Sequence, residues 1–357
     1  MKKIQIIALL IVFTLYSCKN TSTDSPIDLF SHSINLSETK YNIDEDSLAL
    51  IEGIQCNDNS LIVTDFHLGK SFSIFNLQTG KYIGRFGKIG QGPDELPLGC
   101  TGNLEYNKFS ISFDFTGLIA SYNMDSLLLN INTKPKKLAR KNIPETSFSR
   151  VIPLNDSIFL GAGVYKSEYQ YALFDKQNKV IDYNIDIFNA KDEKFNMYHK
   201  FISNQGTFKK HPILNQFVYS LNNSSNIDFI DVSKNKINLI KSIRLKNPIC
   251  NPIQFGDLNR VVPDNNSIIG YIDIATSNKY VYTLYADKLF VNENGTGNKF
   301  NSDIVLVFDW KGNPIKKYKL TKEAFYIAIN EKLKKLYAAI KKADGSWSIT
   351  TYDISEK

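Results

Sequence analysis

Six times along the chain a strand-like run ends in an aromatic residue or isoleucine followed by Asn or Asp, then breaks into a polar turn. The pairs are Phe75-Asn76, Tyr122-Asn123, Phe174-Asp175, Ile230-Asp231, Phe308-Asp309 and Tyr352-Asp353. Each closes an alternating segment such as SFSIFN, YALFD or DIVLVFD, and the turns after Asn76 and Asp309 carry Gly80 and Gly312 before a second run, KYIGRF or PIKKYKL. Asn and Asp suit the first turn position because the side-chain oxygen accepts from backbone amides just ahead, while Gly takes the φ > 0 residue. The unit is a hairpin, and it recurs at intervals of 47, 52, 56, 78 and 44 residues. Strand-only units repeating every ~40–50 residues indicate a propeller. The sequence therefore predicts an all-β, six-bladed β-propeller with four antiparallel strands per blade.

Blade one is expected at 49–56, 60–66, 71–76 and 81–87. Blade two falls within 102–132 with SLLLNIN outermost, blade three within 148–185, blade four within 207–245 and blade five within 267–320. Blade six has three strands, FYIAINE, KLYAAIKK and SWSITTYDI, before the chain ends. An open outer edge invites pairing with another chain, so the N-terminal segment 32–38 is expected to supply the fourth strand and close the ring. The basic run KPKKLARK at 134–141 is expected as a solvated loop between blades.

The N-terminus has the pattern of a bacterial export leader: Lys2 and Lys3, then IIALLIVF, then Leu15-Tyr16-Ser17-Cys18. The apolar core is shorter than the ~20 residues that span a bilayer as a helix. Leu-Tyr-Ser-Cys resembles the lipobox of bacterial lipoproteins, which implies cleavage before Cys18 and lipid attachment to it. The expected division is a signal peptide at 1–17, a flexible tether at 18–29 and a single propeller at 30–357, anchored in the cell envelope at the periplasmic face or the cell surface.

The formal charge of +7 is scattered among acidic residues, so no nucleic-acid patch is expected. Cys56, Cys100 and Cys250 have no CxxC spacing and suit small buried apolar positions. His32, His67, His199 and His211 lack metal-ligand neighbours at i+2 to i+4, and no GxSxG elbow is present. Asp44-Glu45-Asp46 lacks the Gly of a calcium loop and is expected as a solvated turn. The expectation is a binding protein without a cofactor, and a monomer.

Between blades one and two lies GRFGKIGQGPDEL, residues 84–96. Its glycines do not follow the order of a nucleotide-binding P-loop; they permit a tight connection stiffened by Pro93. This segment resembles the signature of six-bladed β-propeller lipoproteins of Bacteroidota, related to TolB-like and NHL-type propellers. The resemblance implies a fold and a compartment, while the Asn, Lys, Tyr and Glu of the loop face suit a polar ligand, a glycan, a peptide or a partner envelope protein. In a propeller the loops joining second to third strands share a face with the interblade loops, and long loops on a rigid scaffold carry function. That face is expected to collect His67, Lys70, Asp94, Glu95, Tyr165, Glu168, Tyr198, His199, Arg260 and Trp347. Trp347 suits either a ligand platform or a cap over the blade-six hairpin. One enzyme alternative comes from the likeness of Glu52-Gly53 to the Glu-Gly-Pro of gluconolactonase-type propellers, which implies a metal-dependent hydrolase with Glu52 on an axial metal; here Ile54 replaces Pro.

The leader generates a first prediction. Cys18→Ala should move the protein from the detergent phase to the aqueous phase or block its processing; unchanged partitioning would contradict the anchor.

Overall fold

The computed structural model describes residues 25–113, 116–255, 258–263, 265–292 and 294–355. The leader and Cys18 lie outside the described residues. Six sheets, each with four antiparallel strands, stand around one axis. Given innermost strand first, blade one is Gly53–Cys56, Ser60–His67, Lys70–Asn76 and Tyr82–Lys88. Blade two is Thr101–Leu104, Lys108–Phe113, Leu118–Asn123 and Lys136–Arg140. Blade three is Thr146–Pro153, Ile158–Tyr165, Tyr169–Asp175 and Val180–Asp186, and blade four is Gly206–Lys210, Gln216–Leu221, Ile227–Ser233 and Lys236–Ile243. Blade five is Ile268–Thr276, Tyr280–Leu289, Ser302–Asp309 and Pro314–Ala324. Blade six has Tyr326–Asn330, Lys335–Lys341 and Trp347–Asp353.

Period-two alternation assembles the ring, because successive side chains face opposite neighbours. In blade one Leu61, Val63 and Phe75 pack with Ala328, Tyr337 and Ile349 of blade six, while Ile62, Phe72 and Ile74 pack with Phe109, Ile111 and Ala120 of blade two. The other junctions hold equivalent clusters. Each Leu, Ile or Phe buried in this way contributes about 1.5–3 kcal/mol.

The axis-side edge of each innermost strand lacks a partner within its own blade, and its backbone groups need one. Neighbouring blades supply it. Gln55 Nε2 donates to Gly102 O at 2.9 Å and Gln55 Oε1 accepts from Leu104 N at 2.8 Å. Thr276 Oγ1 donates to Lys210 O at 3.1 Å, Ile327 N donates to Asp273 Oδ2 at 2.9 Å, and Asn330 Nδ2 donates to Asn57 O at 3.0 Å.

The Asx residues act largely as their turn chemistry requires. Asn76 Oδ1 accepts from Gln78 N and Thr79 N, Asp175 Oδ1 from Gln177 N and Lys179 N, and Asp309 Oδ1 from Lys311 N and Asn313 N. Two positions differ. Asp231 lies inside its strand, and the turn falls later at Lys234-Asn235, both with φ > 0. Asn123 caps a helix, Met124–Leu129, by accepting from Ser126 N. The SLLLNIN run is therefore not the outer strand of blade two. That strand is Lys136–Arg140, inside the basic run expected as a loop. Lysines on an outer edge discourage edge-to-edge pairing, which explains the composition.

Ring closure also differs in detail. The 32–38 segment does not pair with blade six as one strand: Ser33–Asn35 adds a parallel fifth strand to blade five, and Glu38–Thr39 completes blade six against Tyr352 and Thr351. Glu38 accepts from Thr321 Oγ1 at 2.7 Å and pairs with Lys322 at 2.9 Å. Upstream, Pro26–Leu29 forms a 3₁₀ turn that sets Phe30, buried, edge-on to Phe308 at 5.1 Å. Downstream, Glu45 bridges Lys342 and Ser348 of blade six. The N-terminal segment thus grips blades five and six before entering blade one.

Phe30→Ala is expected to cost about 3–5 kcal/mol, as a large-to-small change in packed surroundings. Calorimetry measures it; an unchanged melting temperature would show that the N-terminal segment is not part of the ring.

Candidate functional site

The 84–96 signature is built from two internal locks. Arg85 is buried in blade one, and its Nη1 donates to both carboxylate oxygens of Asp65 at 2.8 and 2.7 Å. Ser73 Oγ donates to the same carboxylate at 2.7 Å, and Arg85 Nη2 donates to Ser47 O at 2.6 Å. The arginine ties blade one to the incoming N-terminal segment. Gly87 then turns at φ +73° with Phe72 and Leu96 packed against it, which excludes a side chain.

Glu95 is the second lock. Its carboxylate folds back on the loop, accepting from Gly92 N at 2.8 Å and pairing with Lys88 Nζ at 2.6 Å. The Lys88 ammonium and the Gly92 N–H hold its carboxyl below the usual glutamate range. A Cβ on Gly90 would collide with that carboxylate. Backbone bonds finish the loop: Ile89 N donates to Gly69 O at 2.8 Å, Gly90 N to Leu96 O at 3.0 Å and Leu96 N to Lys88 O at 2.8 Å. The signature loop is thereby fixed in shape before any ligand arrives.

Cavities lie on both sides of this loop. One of ≈ 350 Å³ is lined by Lys70, Lys88, Asp94, Tyr122 and Lys134, and one of ≈ 670 Å³ by Gln91, Leu98, Thr116, Lys137 and Arg140. Gly92, Pro93 and Glu95 line both. Volumes in this range accommodate ligands up to drug-like or oligosaccharide size. Together the two cavities are lined by five cationic side chains, Lys70, Lys88, Lys134, Lys137 and Arg140, and by Asp94 and Glu95.

Of the residues expected on this face, the structure brings Lys70, Asp94 and Glu95 into one cavity. Lys70 Nζ donates to Arg85 O at 2.9 Å, and Asp94 pairs with Lys134 at 2.6 Å. His67, Glu168 and Arg260 are exposed, on the 67–70 turn, the 165–169 turn and the hairpin formed by Cys250–Phe255 and Leu258–Pro263. Tyr165 is buried beside Tyr183, with Lys166 Nζ 5.4 Å from its ring centre. Helix Met197–Ser203, within the third interblade connection, carries Tyr198, half-exposed, and His199, buried. His199 Nδ1 accepts from Asn196 N, closing the helix cap. Trp347 is half-buried, edge-on to Phe325 at 5.1 Å and 6.5 Å from Tyr326, which matches the cap over blade six. None of these seven lines the cavity that holds Asp94.

Glu52 is exposed just before the innermost strand of blade one. Among the described residues no three His, Cys, Asp or Glu side chains come together in a group that could hold a metal ion.

The axis holds charges that sequence reasoning missed. Arg150, Lys209 and Asp273 sit on the innermost strands of blades three, four and five. Burial pushes the Asp273 carboxyl up to about 6 against the pull of Lys209 and the Ile327 N–H. Burial likewise lowers Lys209 and Arg150 from their ordinary values. Below them Lys210 pairs with Glu105 at 2.6 Å, joining blade four to blade two past the intervening blade. The available signal was a charged residue at the inner-strand position of several blades, where neighbouring blades leave little water.

The site thus belongs to a closed six-bladed propeller with a rigid loop between its first two blades. The TolB-like 6-blade propeller-like family model matches residues 52–332, and the chain belongs to that family. Two solved Bacteroides structures share the fold. A protein of Bacteroides fragilis NCTC 9343, named for an inferred export, superposes with a TM-score of 0.54 at 13% identity, covering 92% of this chain and 96% of that one. A DUF4221 family member from Bacteroides vulgatus ATCC 8482 gives 0.55 at 12% identity, covering 89% and 97%. No curated protein matches the sequence.

The Asp273 shift has a definite sign. The folded protein holds this proton to a higher pH than the unfolded chain, whose Asp titrates near ~3.9. Stability from this group is therefore complete below about 4 and falls as pH rises to about 6. Asp273→Asn, which keeps the neutral shape, should be more stable than the parent at pH 8 by about 2–3 kcal/mol and equal to it near pH 4. Urea unfolding at both pH values checks this; a destabilised variant at pH 8 would contradict it.

Proposed function

We propose that this protein is a lipid-anchored envelope protein that binds an acidic polar ligand against its signature loop. The ligand is a glycan or a peptide, free or displayed by a partner envelope protein. The carrying observation is the loop itself: fixed by Glu95 and its backbone bonds, it stands between two cavities whose combined lining has five cations and two carboxylates. A rigid wall loses little conformational freedom on binding, which favours affinity. The exposed cations steer an anionic ligand and make its capture salt-dependent. The export leader, Cys18 and the inferred export of the Bacteroides fragilis relative support the envelope location.

Lys137 and Arg140 are exposed on the outer strand of blade two and line the larger cavity. Reversing both to Glu should weaken capture of uronic-acid or sulfated glycans, or of acidic peptides, by about tenfold or more and flatten its salt dependence. The melting temperature should stay within about 1 °C, since both side chains face solvent. Lys311→Glu, at an exposed turn on the opposite face, serves as the control. Equal loss in the control, or none in the double variant, would contradict the site.

A further inference from the structure

The axial charges stand near a second, separate cavity. A cavity of ≈ 30 Å³ inside the channel is lined by Gln55, Asn103, Lys209, Thr276 and Ile327 among others. Asn103 is 7% exposed, and its Nδ2 is buried without a hydrogen-bond partner. The Lys209 ammonium has no hydrogen-bond or ion-pair partner among the described residues. Arg150 lies close enough to act on both Lys209 and Asp273, and its guanidinium donates to Ser149 O at 2.6 Å. Asp273 spends one carboxylate oxygen on the Ile327 N–H.

Two cations, both partly exposed along the channel, therefore stand near one buried carboxylate, which leaves one positive charge and one buried amide donor without a counterpart. A buried donor left in that condition is costly, and a partly exposed cation beside it attracts an anion. We infer that the channel binds a single small inorganic anion, of chloride size, between Lys209 and Asn103, with Arg150 adding to the positive field. The volume decides the class: ≈ 30 Å³ admits one or two waters or one such ion, and no sugar ring or amino acid. Access is from the face opposite the signature loop. There a cavity of ≈ 320 Å³ shares Cys56, Leu104, Thr276 and Ile329 with the axial one. The bound ion would join the inner strands of blades two and four, and so act as a structural anion of the ring.

The test compares thermal unfolding in sodium chloride or bromide with sodium gluconate at equal ionic strength, gluconate being too large to enter. The wild-type melting temperature should rise by about 2 °C for each tenfold excess of halide over its dissociation constant. Lys209→Met, which keeps the stem and removes the charge, should lose that halide dependence. A bromide-soaked crystal of the wild type provides a readout that needs no variant: an anomalous peak is expected between Lys209 Nζ and Asn103 Nδ2. Equal response to halide and gluconate, a halide response retained in Lys209→Met, or a soaked crystal with no bromide at this position would each overturn the inference.

Discussion

A ring of sheets has to be joined where its ends meet, and everything else in this protein depends on that junction. Blade six arrives with three strands, and blade one follows it only through the N-terminal segment. Phe30, the Ser33–Asn35 strand, the Glu38–Thr39 strand and Glu45 fasten that segment to blades five and six in turn. Arg85 then ties it to blade one through the Ser47 carbonyl. A blade buries its two faces only against its neighbours, so losing one junction exposes two faces rather than one. The same arginine opens the signature loop, which makes that loop an outgrowth of ring closure.

The signature is first of all a structural motif. Arg85, Gly87, Gly90 and Glu95 are accounted for by contacts within the chain: a buried ion pair, a left-handed turn and a carboxylate folded onto its own loop. That leaves Asp94 and the neighbouring cations Lys134, Lys137 and Arg140 as the side chains with surface to offer. Shape and charge at this loop are consequently set by different residues, and charge can vary while the shape persists.

Much of the fold was legible in the sequence because turn chemistry and period-two alternation are local. Asn76, Asp175 and Asp309 mark hairpins that the structure contains, and the alternating runs beside them are the middle strands. Misreadings arose where one residue type serves two local structures. Asn123 accepts from an amide three residues ahead, as an Asx turn residue does, yet the chain then enters a helix, and the real outer strand is the basic run beyond it. Splitting the N-terminal segment between two blades depends on the ring's geometry, which no local pattern encodes. The candidate site was legible only in part. Lys70, Asp94 and Glu95 do share a cavity, but His199 and Tyr165 are buried and Trp347 is packed on Phe325, outcomes set by contacts distant in sequence. Arg150, Lys209 and Asp273 were invisible because isolated charges in strands look like a solvated face until three blades bring them to one axis.

Ring closure and a pre-shaped loop are the two central features, and native-state hydrogen exchange tests both in one measurement. Peptides covering 33–39 and 89–96 should exchange as slowly as the inner strands of blade six, since their amides are held by Pro314–Ala324, Trp347–Asp353, Gly69, Leu96 and Lys88. Exchange of either segment at the rate of an unfolded peptide, while the blades stay protected, would contradict the account.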